Sequence, residues 1–300
     1  MGKVKYFTLL LSGVFFLISI PASWANETLQ WAGCGITKKA FMAELAKAYT
    51  RKTGIKVELS GGGATKGIRS AAKGTIHIGG ACRVVLDEHP EERDAFQIPV
   101  AWDALVPFVH PNNPVNNITF KQLYDVYLGK ITNWEQLGGN NAPIELYIRR
   151  GKLSGVGRTI RELIFANYEQ EFTAKYVLKS SGPVEKGVEK NPNGLAVTGV
   201  SSARKRNVKL LKLDGMSPSY ENIKTGAFAL YRPLYLVIKR GENRHLVRDF
   251  IKFAAGKEGQ KIIRSQGTVP YADALHLVMK QLDQIERATT TGGIRSHIVD

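Results

Sequence analysis

Residues 28–72 read TLQWAGCGITKKAFMAELAKAYTRKTGIKVELSGGGATKGIRSAA, and this stretch decides the fold. Thr28 to Ala32 has the make-up of a strand, and Gly33-Cys34-Gly35-Ile36-Thr37 that of a tight loop. Phe41, Leu45, Ala48 and Tyr49 then recur at helical spacing behind Thr37, a candidate N-cap. Gly54 stops this helix. A second strand, Lys56 to Leu59, leads through Ser60-Gly61-Gly62-Gly63-Ala64 into a short helix carrying Ile68, Ala71 and Ala72. Strand, glycine-bearing loop and helix thus occur twice in succession, the alternation that builds α/β layers.

The pattern continues downstream. A third strand, Ile76 to Gly79, ends in Gly80-Ala81-Cys82-Arg83, and an extended run covers Gln97 to His110. Pro111 to Pro114 is turn-rich and marks a lobe boundary. Beyond it come a helix over Phe120 to Leu128, a strand over Ile144 to Ile148, the loop Arg149 to Gly155, and a helix with Ile160, Leu163 and Ile164 on one face. A second extended run, Ala229 to Ile238, precedes helices over Leu246 to Ala255 and Glu258 to Ser265. There is no repeat of fixed period, and the last dozen or so residues are polar and expected to be loose.

Upstream, Lys3 and Lys5 precede an apolar run from Phe7 to Ile20, and Ser23-Trp24-Ala25 supplies the small residues a signal peptidase reads. The run is shorter than the roughly twenty residues a membrane-crossing helix needs. Residues 1–25 therefore read as a cleaved signal peptide, and the mature chain begins at Asn26 in an exported, periplasmic protein. About 275 of the 300 residues remain, enough for two lobes with cores. Losing Lys3 and Lys5 lowers the formal charge from +16 to +14, a surplus that favours anionic partners. Nucleic acid is not among them, because the basic residues are scattered without aromatic platforms. The densest cluster, Arg204-Lys205-Arg206 with Lys209 and Lys212, reads as a solvated face.

Three times the chain places a glycine-containing loop between a strand and a helix: at Gly33 to Thr37, Ser60 to Thr65, and Arg150 to Gly157. Each presents backbone N–H groups at a helix N-terminus, where the macrodipole adds about half a positive charge. Converging, they would form a cage of donors for a tetrahedral anion. The second loop lacks the Gly-Lys-Ser/Thr ending of a nucleotide-binding phosphate loop. No Gly-x-Ser-x-Gly elbow or paired-carboxylate signature occurs, and Cys34 has no assignable base, so the chain reads as a binding protein and not an enzyme. Two cysteines and six scattered histidines suit no metal cluster, and no cofactor is implied.

From about Thr28 to Asp273 the chain resembles the periplasmic phosphate-binding proteins of ABC importers, which have the type 2 periplasmic binding-protein fold. Beyond the glycine loop, the resemblance rests on Gln97-Ile98-Pro99-Val100, Leu123 to Trp134 ending in Gly129-Lys130-Ile131-Thr132-Asn133-Trp134, the Arg150 to Gly155 loop, Tyr231-Arg232-Pro233-Leu234-Tyr235, Glu258-Gly259-Gln260 and Gly267-Thr268-Val269-Pro270. It implies an α/β protein of two lobes, each a mixed sheet flanked by helices, joined by two crossing hinge strands. Lobe one would combine residues 26–107 with 232–285, lobe two would be 108–231, and 286–300 would be a tail.

The resemblance also implies the ligand set: Cys34, Gly35 and Ile36 of the first loop, Gly62, Gly63, Ala64 and Thr65 of the second, Cys82 and Arg83 after the third strand, and Arg150, Lys152, Ser154, Gly155 and Val156 from the other lobe. Arg150 would supply the charge-assisted anchor, with Ser154 and the Gly155 N–H adding hydrogen bonds. Three positions depart from the family. Lys152 stands where an Asp accompanies the arginine, Val156 replaces a Thr, and Cys82 replaces the Asp that accepts the proton of phosphate. Phosphate is the expected ligand, while sulfate, molybdate, arsenate or an organic phosphate stay open. Cys34 and Cys82 fall on loops that should meet at the rim of lobe one, as a disulfide or a redox-sensitive pair. The expected role is delivery of the anion to an inner-membrane ABC permease by a monomer that closes around it. A sensor or accessory protein signalling to a membrane or redox partner is the other reading.

Overall fold

The computed structural model describes residues 27–290. The signal-peptide reading and the last ten residues of the expected tail lie outside them.

The chain starts as the sequence implies. Strand β1 (Thr28–Gly33) runs into helix α1 (Gly35–Thr37), which passes through a π-helical turn (Lys38–Met42) into α2 (Ala43–Thr53). Gly54, at φ 77°, ends the run. The expected N-cap does not cap: the cap position is Cys34, and Thr37 lies inside the first turn, where its hydroxyl donates to the Ala81 carbonyl at 3.2 Å. The loop is shorter than the glycines suggest because the Cys34 N–H is already tied to the Gly80 carbonyl at 2.9 Å. Strand β2 (Lys56–Ser60), helix α3 (Gly63–Ala72) and strand β3 (Ile78–Ala81) complete the opening βαβαβ unit, in which β1 pairs parallel with both β2 and β3.

The expected extended run is β4 (Ala95–Val109), fifteen residues long. After it come β5 (Asn117–Ile118), α4 (Phe120–Tyr127), β6 (Glu145–Arg149), α5 (Gly155–Ile160) continued by a π-helical turn, and β7 (Tyr176–Leu178). Helix α4 starts on a full capping box between Thr119 and Gln122. Next are α6 (Ser181–Glu189), β8 (Gly194–Gly199), α7 (Val200–Ala203), the short strands β9 (Lys209–Leu210) and β10 (Lys212–Leu213), and α8 (Tyr220–Thr225). The chain then returns through β11 (Tyr231–Lys239), α9 (His245–Ala255), α10 (Lys257–Ser265), β12 (Val269–Pro270) and α11 (Leu277–Thr290). Residue 286, the expected start of the tail, falls inside α11.

One sheet threads both halves in the order β2-β1-β3-β11-β4-β8-β6-β7, with β12 and β9 also pairing β4. The division falls within β4. Residues up to Ala104 pair antiparallel with β11, whereas Leu105 to Val109 pair antiparallel with β8. Strand β11 enters between β3 and β4, so the late part of the chain completes the first lobe. The chain crosses back at the start of the expected second run, Ala229 to Ile238, where the Leu105 N–H meets the Leu230 carbonyl at 2.8 Å; the rest of that run, β11, pairs within lobe one.

Packing around β3 explains why its sequence is Ile-Gly-Gly-Ala. A Cβ on Gly80 would overlap the indole of Trp31, and one on Gly79 would overlap the Gly67 backbone of α3. Glycine therefore lets a buried tryptophan and a helix close on the same strand. Trp31, Trp102, Phe41 and Phe250 are all buried in this core, each contributing roughly 1.5–3 kcal/mol through area removed from water. Trp102 stacks on Tyr271 at 4.9 Å and donates its indole N–H to the Tyr271 carbonyl, fastening the C-terminal segment to β4.

Candidate functional site

Parallel strands that each turn into a helix put their helix N-termini on one side of the sheet, and here those of both lobes face each other. They surround a cavity of about 500 Å³ lined by Cys34 and Gly35, Gly61 to Ala64, Cys82, Arg149, Gly155, Val156 and the Lys179-Ser180-Ser181-Gly182 segment, with Lys39, Ser202 and Arg206 at its side. Helices α1, α3, α5 and α6 all begin on this lining. At α1, α3 and α6 no side chain among the described residues caps the first turn; the Ile36 and Thr37 N–H groups of α1 face the Cys34 sulfur, and those of α3 and α6 keep their capacity to donate. At α5 the Ser154 hydroxyl accepts from the Gly157 N–H at 3.1 Å. Gly62 (φ 141°) and Gly63 (φ 87°) shape the α3 entrance with a backbone that other residues rarely adopt.

Among the described residues, four cations and no carboxylate line the cavity. Arg149 ends β6, and its Nη1 is buried with no hydrogen-bond partner among the described residues. Lys39 and Arg206 converge on Glu185, which is wholly buried, at 2.9 and 3.1 Å, and Ser202 donates to the same carboxylate. Burial pushes the Glu185 carboxyl up, but the Ser202 hydrogen bond and the two cations together hold it below the usual value. Two positive charges therefore face one negative charge.

Several expected ligands do lie on the lining: Cys34, Gly35, Gly62, Gly63, Ala64, Cys82, Gly155 and Val156. Others are occupied elsewhere. Arg150 is exposed and outside the lining, since Arg149 takes the inward-facing position one residue earlier; Arg150 contributes its backbone N–H to the Leu178 carbonyl. Strand alternation accounts for the swap, because neighbours on a strand point to opposite faces. Lys152 pairs with Glu169 and Glu171, both at 2.7 Å, away from the cavity. Arg83 is buried against Glu92 through two hydrogen bonds of 2.7 and 2.8 Å, and its Nε reaches the Leu153 carbonyl. Thr65 donates to the same carbonyl, Ile36 is in the core, and Ser154 serves as the α5 cap.

Thr65 and Arg83 therefore tie lobe one to the Leu153 loop of lobe two. In the Arg204-Lys205-Arg206 cluster, Arg204 and Lys205 are exposed as expected, but all three side chains are engaged and Arg206 turns inward. Arg204 donates to the Gly267 carbonyl, Lys205 to the Lys39 carbonyl and to Gln266, and Arg206 lines the cavity. Behind the cavity, Arg232 of β11 donates through Nη1 to the carbonyls of Cys82 (3.0 Å) and Gly155 (3.3 Å), one from each lobe. A Cβ on Gly155 would overlap the Cys82 sulfur. The lobes are thus closed on each other in this structure.

Both cysteines are buried and unbonded, with their sulfurs 2.8 Å apart in a thiol–thiol hydrogen bond. The hydrogen bond from Cys82 holds the Cys34 thiol down at about 6 against the opposing effect of burial, and the Arg232 charge adds to the lowering. The Cys82 thiol is pushed up, first by that same hydrogen bond and then by burial.

Sequence reasoning missed the α6 N-terminus, Lys39 and Arg206; Arg149 is expected from the sequence to add positive charge to the site, with Arg150 as the anchor, whereas Arg149 is the arginine on the lining. Ser180-Ser181-Gly182 after a short strand was the available signal for the first.

Two lobes that close over a cavity ringed by helix N-termini define a solute-binding protein of the type 2 periplasmic fold. A profile for the PBP superfamily domain matches residues 27–258, and the chain belongs to that superfamily. It is 27% identical to the phosphate-binding protein PstS of Borreliella burgdorferi over 252 residues, covering 81% of this chain and 90% of the relative. It is 25% identical to PstS of Bacillus subtilis over 294 residues, covering 91% and 96%. Among solved structures, a putative phosphate ABC transporter substrate-binding protein with bound phosphate from Clostridium perfringens superposes with a TM-score of 0.75 at 28% identity, covering 81% of this chain and 99% of that one.

Proposed function

We propose that this chain is an exported solute-binding protein that captures phosphate in the cleft and presents it to an ABC permease. The observation that carries the reading is the lining that the described residues form: four converging helix N-termini, three of them without side-chain caps, with four cations and no carboxylate among those residues. Such a site attracts an anion through backbone donors and fixed charge together. The resemblance to phosphate-binding proteins supports phosphate over other oxyanions. A ligand touching Arg149 and Gly155 from lobe two and the glycine loop from lobe one favours the closed state, and closure is the signal a permease would read. Residues 95–104 with β11 form one side of the hinge and residues 105–109 with β8 the other. No step in this role makes or breaks a covalent bond.

A cavity of about 500 Å³ is within the range of about 300–1,000 Å³ of small-molecule sites and exceeds what a bare tetrahedral anion fills. This favours a phosphate ester as a second reading. Calorimetric titration of the mature protein with phosphate, sulfate, molybdate, arsenate and glycerol phosphate tests both. One-to-one binding of phosphate in preference to sulfate is expected, and failure to bind any of the five would overturn the oxyanion assignment.

A further inference from the structure

Cys34 and Cys82 are the chain's two cysteines, and the backbone brings them together with some care. They follow adjacent parallel strands, β1 and β3, in which Gly33 is in register with Gly80. The Cys34 N–H donates to the Gly80 carbonyl at 2.9 Å, and the Thr37 hydroxyl donates to the Ala81 carbonyl, so the first loop is pinned at Cys34 itself and the second one residue before Cys82. The sulfurs are held in contact, unbonded, and on the lining of the cavity. Arg232 backs them: its Nη1 holds the Cys82 carbonyl, and its Nε and Nη2 are buried without hydrogen-bond partners among the described residues. A buried guanidinium next to a thiol favours the thiolate, the form that bonds to electrophiles and soft ions. A cysteine serving as apolar filling needs neither a second sulfur in contact nor a cation behind it.

We propose that this pair is a chelating site for a thiophilic trivalent oxoacid, with arsenous acid, As(OH)₃, as its simplest representative. Soft thiolates prefer soft, polarizable centres, and two sulfurs in contact are placed as the two arms of a chelate. In the reaction two As–O bonds break and two As–S bonds form. The two thiol protons leave with the displaced oxygens as two molecules of water. Arsenic stays trivalent, and no electrons are exchanged. The remaining As–OH faces the Gly61 to Gly63 backbone and Arg149, which line the same space. Soft cations such as Cu(I) or Hg(II) share the preference for sulfur, but Lys39, Arg149, Lys179 and Arg206 oppose the entry of positive charge. Entry requires parted lobes, because in the closed state Gly155 lies so near the Cys82 sulfur that even an added Cβ would overlap it.

The test is titration of the fully reduced mature protein with sodium arsenite, read by calorimetry, by intact mass and by alkylation of the remaining thiols. A one-to-one adduct that protects both cysteines is expected, with an affinity unchanged by salt because arsenous acid is uncharged at neutral pH. Cys34→Ser and Cys82→Ser, each shown to be folded by circular dichroism, should each bind arsenite about 100-fold more weakly or worse, since one arm of the chelate is gone. Absence of an adduct in reduced wild-type protein, or an adduct that survives either substitution, would overturn the proposal. Phosphate titrated into the same reduced preparation tests the oxyanion proposal separately. Arsenite bound without phosphate would refute that reading and leave this one standing, and the converse would do the opposite.

Discussion

Replacing Arg149 by alanine should weaken phosphate binding while leaving the fold in place, and its size can be worked out from the site. Arg149 is on the lining, contributed by lobe two, and its buried Nη1 has no hydrogen-bond partner among the described residues to lose. Burial pushes its guanidinium pKa down, and the nearby cysteines oppose the shift, so the group stays charged. One charge-assisted hydrogen bond contributes about 1.5–3 kcal/mol. At about 1.4 kcal/mol per factor of ten, its loss weakens the Kd by about 10- to 140-fold. Arg150→Ala is the matched control: the same charge is removed one residue away, from an exposed side chain outside the lining, and a change within about twofold is expected. Calorimetry at fixed ionic strength, with melting curves for both variants, is the assay. If Arg149→Ala binds phosphate within threefold of wild type, or if Arg150→Ala is the crippled variant, the assignment of the anchor is wrong.

Gly155→Ala places a methyl group against the Cys82 sulfur only when the lobes meet, an overpacking cost of about 1–3 kcal/mol charged to the closed state. Ligand affinity should fall by about 5- to 150-fold with little change in Tm, and a Tm loss without an affinity loss would contradict this. Glu185→Gln leaves Lys39 and Arg206 without their buried counter-charge, at a cost of about 3–5 kcal/mol for breaking such a pair. Because the Glu185 pKa is lowered in the fold, its contribution is present above the ordinary carboxylate value of 4.5 and is lost as pH falls through the folded value. The Tm gap to wild type should therefore be full at pH 7 and shrink on acidification; a gap independent of pH would argue against the ion pair. For Cys34, alkylation of ligand-free protein by iodoacetamide should rise with pH around a midpoint of about 6, and a midpoint near the ordinary thiol value of 9.0 would remove the thiolate from the site.

The α/β alternation was legible because β1, α2, β2 and α3 each carry their own periodicity and each end on a glycine or a cap. The convergence of the Gly33, Ser60 and Ser154 loops could be proposed from their repetition alone, and all three border the cavity. What stayed hidden depends on pairings between distant residues. Which of Arg149 and Arg150 faces inward is a matter of strand phase at the very end of β6, where one residue of register reverses the answer. Arg83 and Lys152 looked like free cations because their carboxylate partners, Glu92 for one and Glu169 and Glu171 for the other, stand nine to nineteen residues away along the chain. The role of Arg204 and Lys205 depends on Gly267 and Gln266, which only the folded chain brings near.

The insertion of β11 between β3 and β4 also sets the order of assembly. Tyr235 pairs with Ala81, so the centre of the first sheet is an open slot until more than two-thirds of the chain has been synthesised. Until then β3 and β4 each present an unsatisfied edge, and the pairing that fills the slot joins residues far apart in sequence, a slow step for a folding chain. The nascent protein is thus held back from its native state by its own topology. That delay lengthens the interval in which it can be threaded as an unfolded polypeptide, and equally the interval in which its exposed edges can aggregate.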